Sequence, residues 1–170
     1  MPDYIEISDE FKPTKVELLL IAEAPPTNEN SYFYIPYNIG QTKTRRKDSS
    51  LPATIFYHYF DRLPKDKDEY LEFLNCLCKN GIFLIDISDI PLNIRDNHGI
   101  NENNLNILIS EIPKLKNKIK DRIGIIKENK IKFLLPRNHY IGKLQELFPE
   151  SQYFSWVDFR MQTEIINNCK

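Results

Sequence analysis

Val16-Glu17-Leu18-Leu19-Leu20-Ile21-Ala22 runs apolar almost without a break toward Pro25-Pro26, and its reading decides the fold. Consecutive apolar side chains bury both faces of a strand, so the run is expected inside a parallel sheet, stopped by the prolines. Ile82-Phe83-Leu84-Ile85-Asp86-Ile87 has the same pattern, and Ile131-Lys132-Phe133-Leu134-Leu135 is a third strand. Residues 152–157, rich in Tyr, Phe, Trp and Val, are expected as a fourth. Helical patterns lie between these runs. One covers 51–63, with Pro52 near its first turn and Ile55, Phe56 and Tyr59 at helical spacing. Another covers 68–79, with Leu71, Leu74, Leu77 and Cys78 on one stripe, Lys79 at its end and Gly81 just past it. A third is capped within 101–104 and carries Leu105, Leu108, Ile109 and Ile112 up to Pro113. Leu115, Ile119 and Ile123 make an amphipathic helix whose interleaved lysines read as its wet face, and 138–148 make one more. Alternating strands and helices imply right-handed crossovers, and hence a three-layer α/β/α sandwich around a four-stranded, mainly parallel sheet.

Composition agrees with one domain over residues 1–170. At this length folding removes roughly 70% of the unfolded chain's surface from water, without the help of a staple. An apolar fraction of 41% with 28% charged residues excludes collagen-like and wholly disordered chains. A net charge of -1 provides no global field toward a polyanion, so any nucleic-acid contact must come from a local patch. The apolar runs are far shorter than the roughly 20 residues of a membrane helix, and the N-terminal residues lack a secretory pattern. Cys76 and Cys78 lie two apart on a helical stretch and face different ways. Together with the odd cysteine count, this predicts free thiols in a reducing cytoplasm. No Cys/His spacing suits a metal site.

Ligands of open parallel sheets bind outside the carboxyl ends of the strands. The rule selects residues 23–28, 86–93, 136–139 and 158–160. Residues 27–50, polar, aromatic and basic, form a connection about twice the usual length, which marks a functional or mobile loop. Two of the strand ends carry a pattern. Ile21-Ala22-Glu23-Ala24-Pro25-Pro26 resembles the Gly-Glu-Ala-Pro-Gly loop after the first strand in one branch of the uracil-DNA glycosylase superfamily. Gly81-Ile82-Phe83-Leu84-Ile85-Asp86 resembles that superfamily's second core strand, which ends in a base-reading Asn. The likeness spans most of residues 16–157. It implies a uracil-DNA glycosylase-like sandwich and a monofunctional DNA glycosylase that extrudes a damaged or modified base and hydrolyses its bond to deoxyribose.

Two catalytic candidates follow, Glu23 and Asp86. Asp86 stands where the resemblance puts the Asn. An ionised carboxylate only accepts hydrogen bonds, which suits the exocyclic amine of a cytosine-type base. Glu23 is placed to orient water or to stabilise positive charge on the sugar. Phe33, within Tyr32-Phe33-Tyr34, is the stacking wall that the resemblance implies, since the superfamily places an aromatic downstream of the first loop, and Asn93 is a candidate further base contact. Lys43, Arg45, Arg46 and Lys47 are the candidate grip on DNA phosphates. The implied partner is DNA, single-stranded or with an extruded base, met by a monomer without metal or other cofactor. Removing foreign or modified bases, such as those of phage DNA, would suit a cytosine-type pocket. The sequence departs from the superfamily pattern: Ala22 and Pro26 replace two glycines of the first loop, Ala24 falls where several branches keep an Asp or Asn that positions water, and Trp156-Val157-Asp158-Phe159-Arg160-Met161 lacks the His expected after the last strand. The alternative reading is therefore a catalytically degenerate glycosylase-fold protein that binds DNA or a protein partner.

Overall fold

The computed structural model describes residues 1–40, 44, 45, 50–167 and 169. Its strands are β1 (Leu18–Ala22), β2 (Ile82–Asp86), β3 (Arg95–Asp96), β4 (Gly99–Ile100), β5 (Ile131–Leu134) and β6 (Gln152–Phe154). The helices are α1 (Tyr4–Asp9), α2 (Leu51–Phe60), α3 (Lys67–Lys79), α4 (Glu102–Glu111), α5 (Leu115–Arg122), α6 (Ile141–Leu147) and α7 (Trp156–Met161). The protein is an α/β fold whose sheet is four-stranded and all parallel, in the order β2-β1-β5-β6, flanked by helices; β3 and β4 form a separate hairpin. Leu19, Leu20, Ile21, Phe83, Ile85, Phe133 and Leu134 are buried, as continuous apolar strands covered on both faces should be.

Strand order positions the site. From β1 the chain steps outward to β2 and then returns past β1 to β5, so the direction of winding reverses beside β1. That reversal opens a crevice at the carboxyl ends of β1 and β5. In the β1–β2 register Ala22 pairs with Asp86, and pairing continues past the strand ends, with Ile87 N–H donating to the Ala22 carbonyl (2.9 Å) and Ser88 N–H to that of Glu23 (3.0 Å). Gly81 sets the entry to β2. Its φ of +72° suits glycine, and a Cβ there would come within 2.6 Å of Glu17 Cγ.

β2 is an outer strand, and its free flank is closed by a side chain. The Tyr34 hydroxyl donates to the Leu84 carbonyl (3.1 Å) and accepts from Leu84 N–H (2.7 Å). It thereby answers both backbone groups of one residue on the sheet's edge. The long connection after β1 is thus anchored. Tyr32, Phe33 and Tyr34 are all buried, Tyr70 Oη donates to the Phe33 carbonyl (2.6 Å), and Tyr32 Oη donates to that of Tyr4 (3.2 Å).

Several expectations need correction. The fourth strand stops at Phe154, and Trp156–Met161 is helical, because Ser155 Oγ accepts from Asp158 N–H (3.1 Å) and starts a helix where β propensity alone favoured a strand. The helix expected over 138–148 begins only at Ile141, and α1 was not anticipated although Asp3 caps it through Glu6 N–H. The cysteines are not all free: Cys76 and Cys169 form a disulfide, which leaves Cys78 as the free thiol. The C-terminal segment makes this pairing feasible by running along α2, where Glu164 N–H donates to the His58 carbonyl (2.8 Å) and Ile166 N–H to that of Tyr59 (3.2 Å). The basic residues between 114 and 132 are not simply a wet face either. Arg122 reaches Ser8 (2.8 Å) and Asp9 (3.0 Å), and Lys132 lies over the Phe154 ring. No helix among the described residues is long and apolar enough to cross a membrane.

Candidate functional site

A cavity of about 330 Å³ opens at the carboxyl ends of β1, β2 and β5. Its walls are mostly apolar: Phe33, Leu51, Leu84, Leu92, Trp156 and the prolines 25, 26, 52 and 136. Glu23, Asp86 and Arg137 are the charge-bearing side chains along it, and the Tyr32 phenol lines it as well. An apolar slot with a few convergent polar groups has the character of a small-molecule or single-base site.

Glu23 directly follows β1 and is engaged at both oxygens. Arg137, on the loop after β5, donates from Nε to Oε2 (3.0 Å) and from Nη2 to Oε1 (3.1 Å), and Tyr140 Oη donates to Oε2 as well. A forked, hydrogen-bonded pair of this kind fixes a carboxylate in position and balances its charge. Burial, reinforced by the Glu23 charge, holds the Tyr140 phenol protonated far above the ordinary tyrosine range. Glu23 is therefore better placed to stabilise charge or accept from a ligand hydroxyl than to pull a proton from water. Arg137 keeps Nη1 and one hydrogen of Nη2 without an acceptor among the described residues, beside the cavity.

Asp86 is held differently. It is 7% exposed and lines the cavity, yet its carboxylate has no hydrogen bond or ion pair among the described residues. The nearest cation serves other groups: Lys118 Nζ bonds the backbone carbonyls of Asp86 (3.0 Å) and Ile87 (2.8 Å) and pairs with Asp89 Oδ1 (2.6 Å). Burial pushes the Asp86 carboxyl up to about 7, against the pull of Lys118 and Arg122 and with the charges of Asp89 and Glu23 adding to the rise. Phe33 forms part of the apolar wall of the same cavity. Its ring meets Tyr34 edge-on at 4.8 Å and Phe56 at 5.7 Å, so its orientation is set from behind by packing.

The structure thus brings Glu23, Phe33 and Asp86 to one concavity, and of the other candidates that are described, Asn93 and Arg45 lie away from it. Asn93 is exposed and off the cavity; its carbonyl accepts from Asn104 Nδ2 (2.9 Å), and the neighbouring Leu92 forms the wall instead. Of the four cations proposed for phosphates, Lys43, Arg46 and Lys47 lie outside the described residues. Arg45 is committed within the fold: it pairs with Asp61, donates to Thr163 Oγ1 (3.2 Å) and stacks over Tyr57 at 5.1 Å. Its own carbonyl accepts from the buried Arg160 (2.7 Å). None of the three histidines reaches the cavity. His58 is stacked on Phe159 at 3.7 Å, and His98 and His139 are exposed.

Arg137, Tyr140 and Lys118 escaped the sequence reading. The strand-end rule had selected 136–139, so Arg137 was within reach of it; Lys118 was hidden among lysines that read as solvated. Trp156, within the stretch whose β propensity suggests a strand, is the first residue of α7; it donates to the Leu134 carbonyl (3.2 Å) and lines the cavity. Among the described residues no group of three His, Cys, Asp or Glu side chains is placed to hold a metal ion. Comparison with protein-family models, with curated proteins and with solved structures finds no match, so the functional reading rests on this geometry.

Proposed function

We propose that the protein is a DNA glycosylase-like enzyme of three-layer α/β/α, uracil-DNA glycosylase-like architecture that takes an extruded base, of cytosine type, into the cavity and hydrolyses its bond to deoxyribose. One observation carries the reading: residues 23, 33 and 86, distant in the chain, share one small apolar cavity at the switch point of a parallel sheet. The base would lie against Phe33, a contact worth roughly 1 to 3 kcal/mol in comparable stacks. Asp86 would meet its hydrogen-bonding edge. Cleavage leaves the bonding electron pair on the base and positive charge on the sugar, and the anchored Glu23 carboxylate supplies a fixed negative charge there. Water completes the reaction by forming the new bond to the sugar carbon and giving up a proton, which ends on the departed base and neutralises its electron pair. The partner is DNA, single-stranded or with the target base already extruded.

The second reading is a catalytically degenerate member that binds DNA or a protein partner. Two observations favour it: both Glu23 oxygens are occupied by Arg137 and Tyr140, and no histidine lines the cavity. Oligonucleotides carrying uracil, cytosine or a bulky cytosine derivative, incubated with the protein and then treated with alkali, separate the two. Strand breaks at the modified position, lost in Glu23→Ala and Phe33→Ala, support the glycosylase. Binding without breaks supports the degenerate protein, and neither binding nor breaks ends both.

A further inference from the structure

The unpartnered carboxyl group in the cavity has a chemistry that the ionised form does not exhaust. We propose that Asp86 meets its ligand as a neutral carboxylic acid, so that the ligand is a ring presenting one hydrogen-bond donor and one acceptor side by side. This deepens the base-binding reading and rests on it. A neutral carboxyl donates from its O–H and accepts at its carbonyl, and rotating the proton exchanges the two roles. It therefore matches the N3 and N4 of cytosine or the N3 and O4 of uracil with two hydrogen bonds. An ionised carboxylate faces cytosine N3 acceptor to acceptor and keeps only the amine contact.

The surroundings favour the neutral form. The side chain is 7% exposed, and its cavity neighbours Phe33, Leu84 and Leu92 offer no charge. Around it, Glu23 from the end of β1 and Asp89 from the loop after β2 disfavour a further negative charge, whereas Lys118 and Arg122 from α5 favour one. Tyr4 of α1 and Tyr32 and Tyr34 of the long connection face it as neutral phenols held protonated by burial. Lys118 spends its hydrogen bonds on two carbonyls and on Asp89, not on the Asp86 carboxylate. The balance puts ionisation at about 7, and an entering base that displaces water from the cavity raises it further.

The single tryptophan, Trp156, lines the cavity, so its fluorescence reports occupancy. Free cytosine is titrated into the wild-type protein and into Asp86→Asn from pH 6 to pH 9. The Asn amide is a permanent donor–acceptor pair of the same shape. Wild-type affinity is expected to fall about fiftyfold between pH 7 and pH 9, as one proton must be taken up on binding, while the variant varies less than about twofold. Calorimetry of the wild type at pH 8 in two buffers of different ionisation enthalpy should show uptake of close to one proton per cytosine, a measurement that needs no variant. Cytosine binding that holds or strengthens toward pH 9, without proton uptake, overturns the neutral-acid proposal and leaves the base pocket standing. No binding by either folded protein at any pH overturns the base pocket itself, and the proposal with it.

Discussion

Asp86→Asn should stabilise the protein at alkaline pH and leave it unchanged at acid pH. The carboxyl ionises at about 7 in the folded chain against 3.8 for an unperturbed aspartate, so the folded state binds its proton more tightly than the unfolded state does. A raised folded pKa contributes stability that is fully present below pH 4 and is lost as pH rises toward 7; above that the loss is constant. At about 1.4 kcal/mol per pH unit crossed, the wild type gives up about 4 kcal/mol over this window, an upper bound because a relaxing cavity admits water. Asparagine carries no charge at any pH and escapes the loss. For a chain of this size that corresponds to a melting temperature roughly 8 to 16 °C higher for the variant at pH 8, with coincident melting at pH 3.5. Urea unfolding followed by far-ultraviolet circular dichroism at several pH values reads the difference directly. A variant no more stable than the wild type at pH 8, or a gap that does not open between pH 4 and pH 7, would refute the claim that Asp86 is buried without a compensating partner.

Arg137→Ala should destabilise by about 3 kcal/mol, because it leaves the buried Glu23 carboxylate with the Tyr140 hydroxyl but no balancing cation; Glu23→Gln in the same background should recover part of that loss, measured by the same unfolding curves. Tyr34→Phe leaves the Leu84 N–H and carbonyl without their hydroxyl and should cost about 2 kcal/mol, with faster amide exchange at Leu84 by NMR. Lys118→Met frees the loop after β2 and should weaken cytosine binding while moving the midpoint of its pH dependence upward, since a cation that favours the ionised Asp86 is lost. Reduction of Cys76–Cys169, or Cys169→Ser, opens a loop of sequence separation 93 and should lower stability by about 5 kcal/mol on the chain-entropy account, seen as a lower urea midpoint with dithiothreitol.

The buried strands were legible because nothing else in the sequence looks like an uninterrupted apolar run bounded by Gly or Pro; β1, β2 and β5 lie within a residue or two of their expected limits. The strand ends then located the cavity, since topology alone dictates where a parallel sheet leaves a crevice. Errors fell where a short-range device outweighs propensity. Ser155 with Asp158 makes a helix start out of residues whose aromatic and branched side chains suggest a strand, and Asp3 with Glu6 makes α1 by the same means. Arg137, Tyr140 and Lys118 were not legible as partners because each reaches its target across more than 30 positions, and no local pattern encodes such a distance. The pairing of Cys76 with Cys169 was hidden for the same reason; it depends on the path of the C-terminal segment along α2.

Phe33 and Tyr34 are consecutive, and this adjacency joins two properties that could have been independent. One side chain is a wall of the cavity; the next occupies the only hydrogen-bonding position that β2 offers at Leu84 on its outer side. Any loosening of the segment that deforms the cavity also bares a rung onto which a strand of another molecule could dock, so loss of the proposed base binding and the onset of polymerisation should share a single local transition.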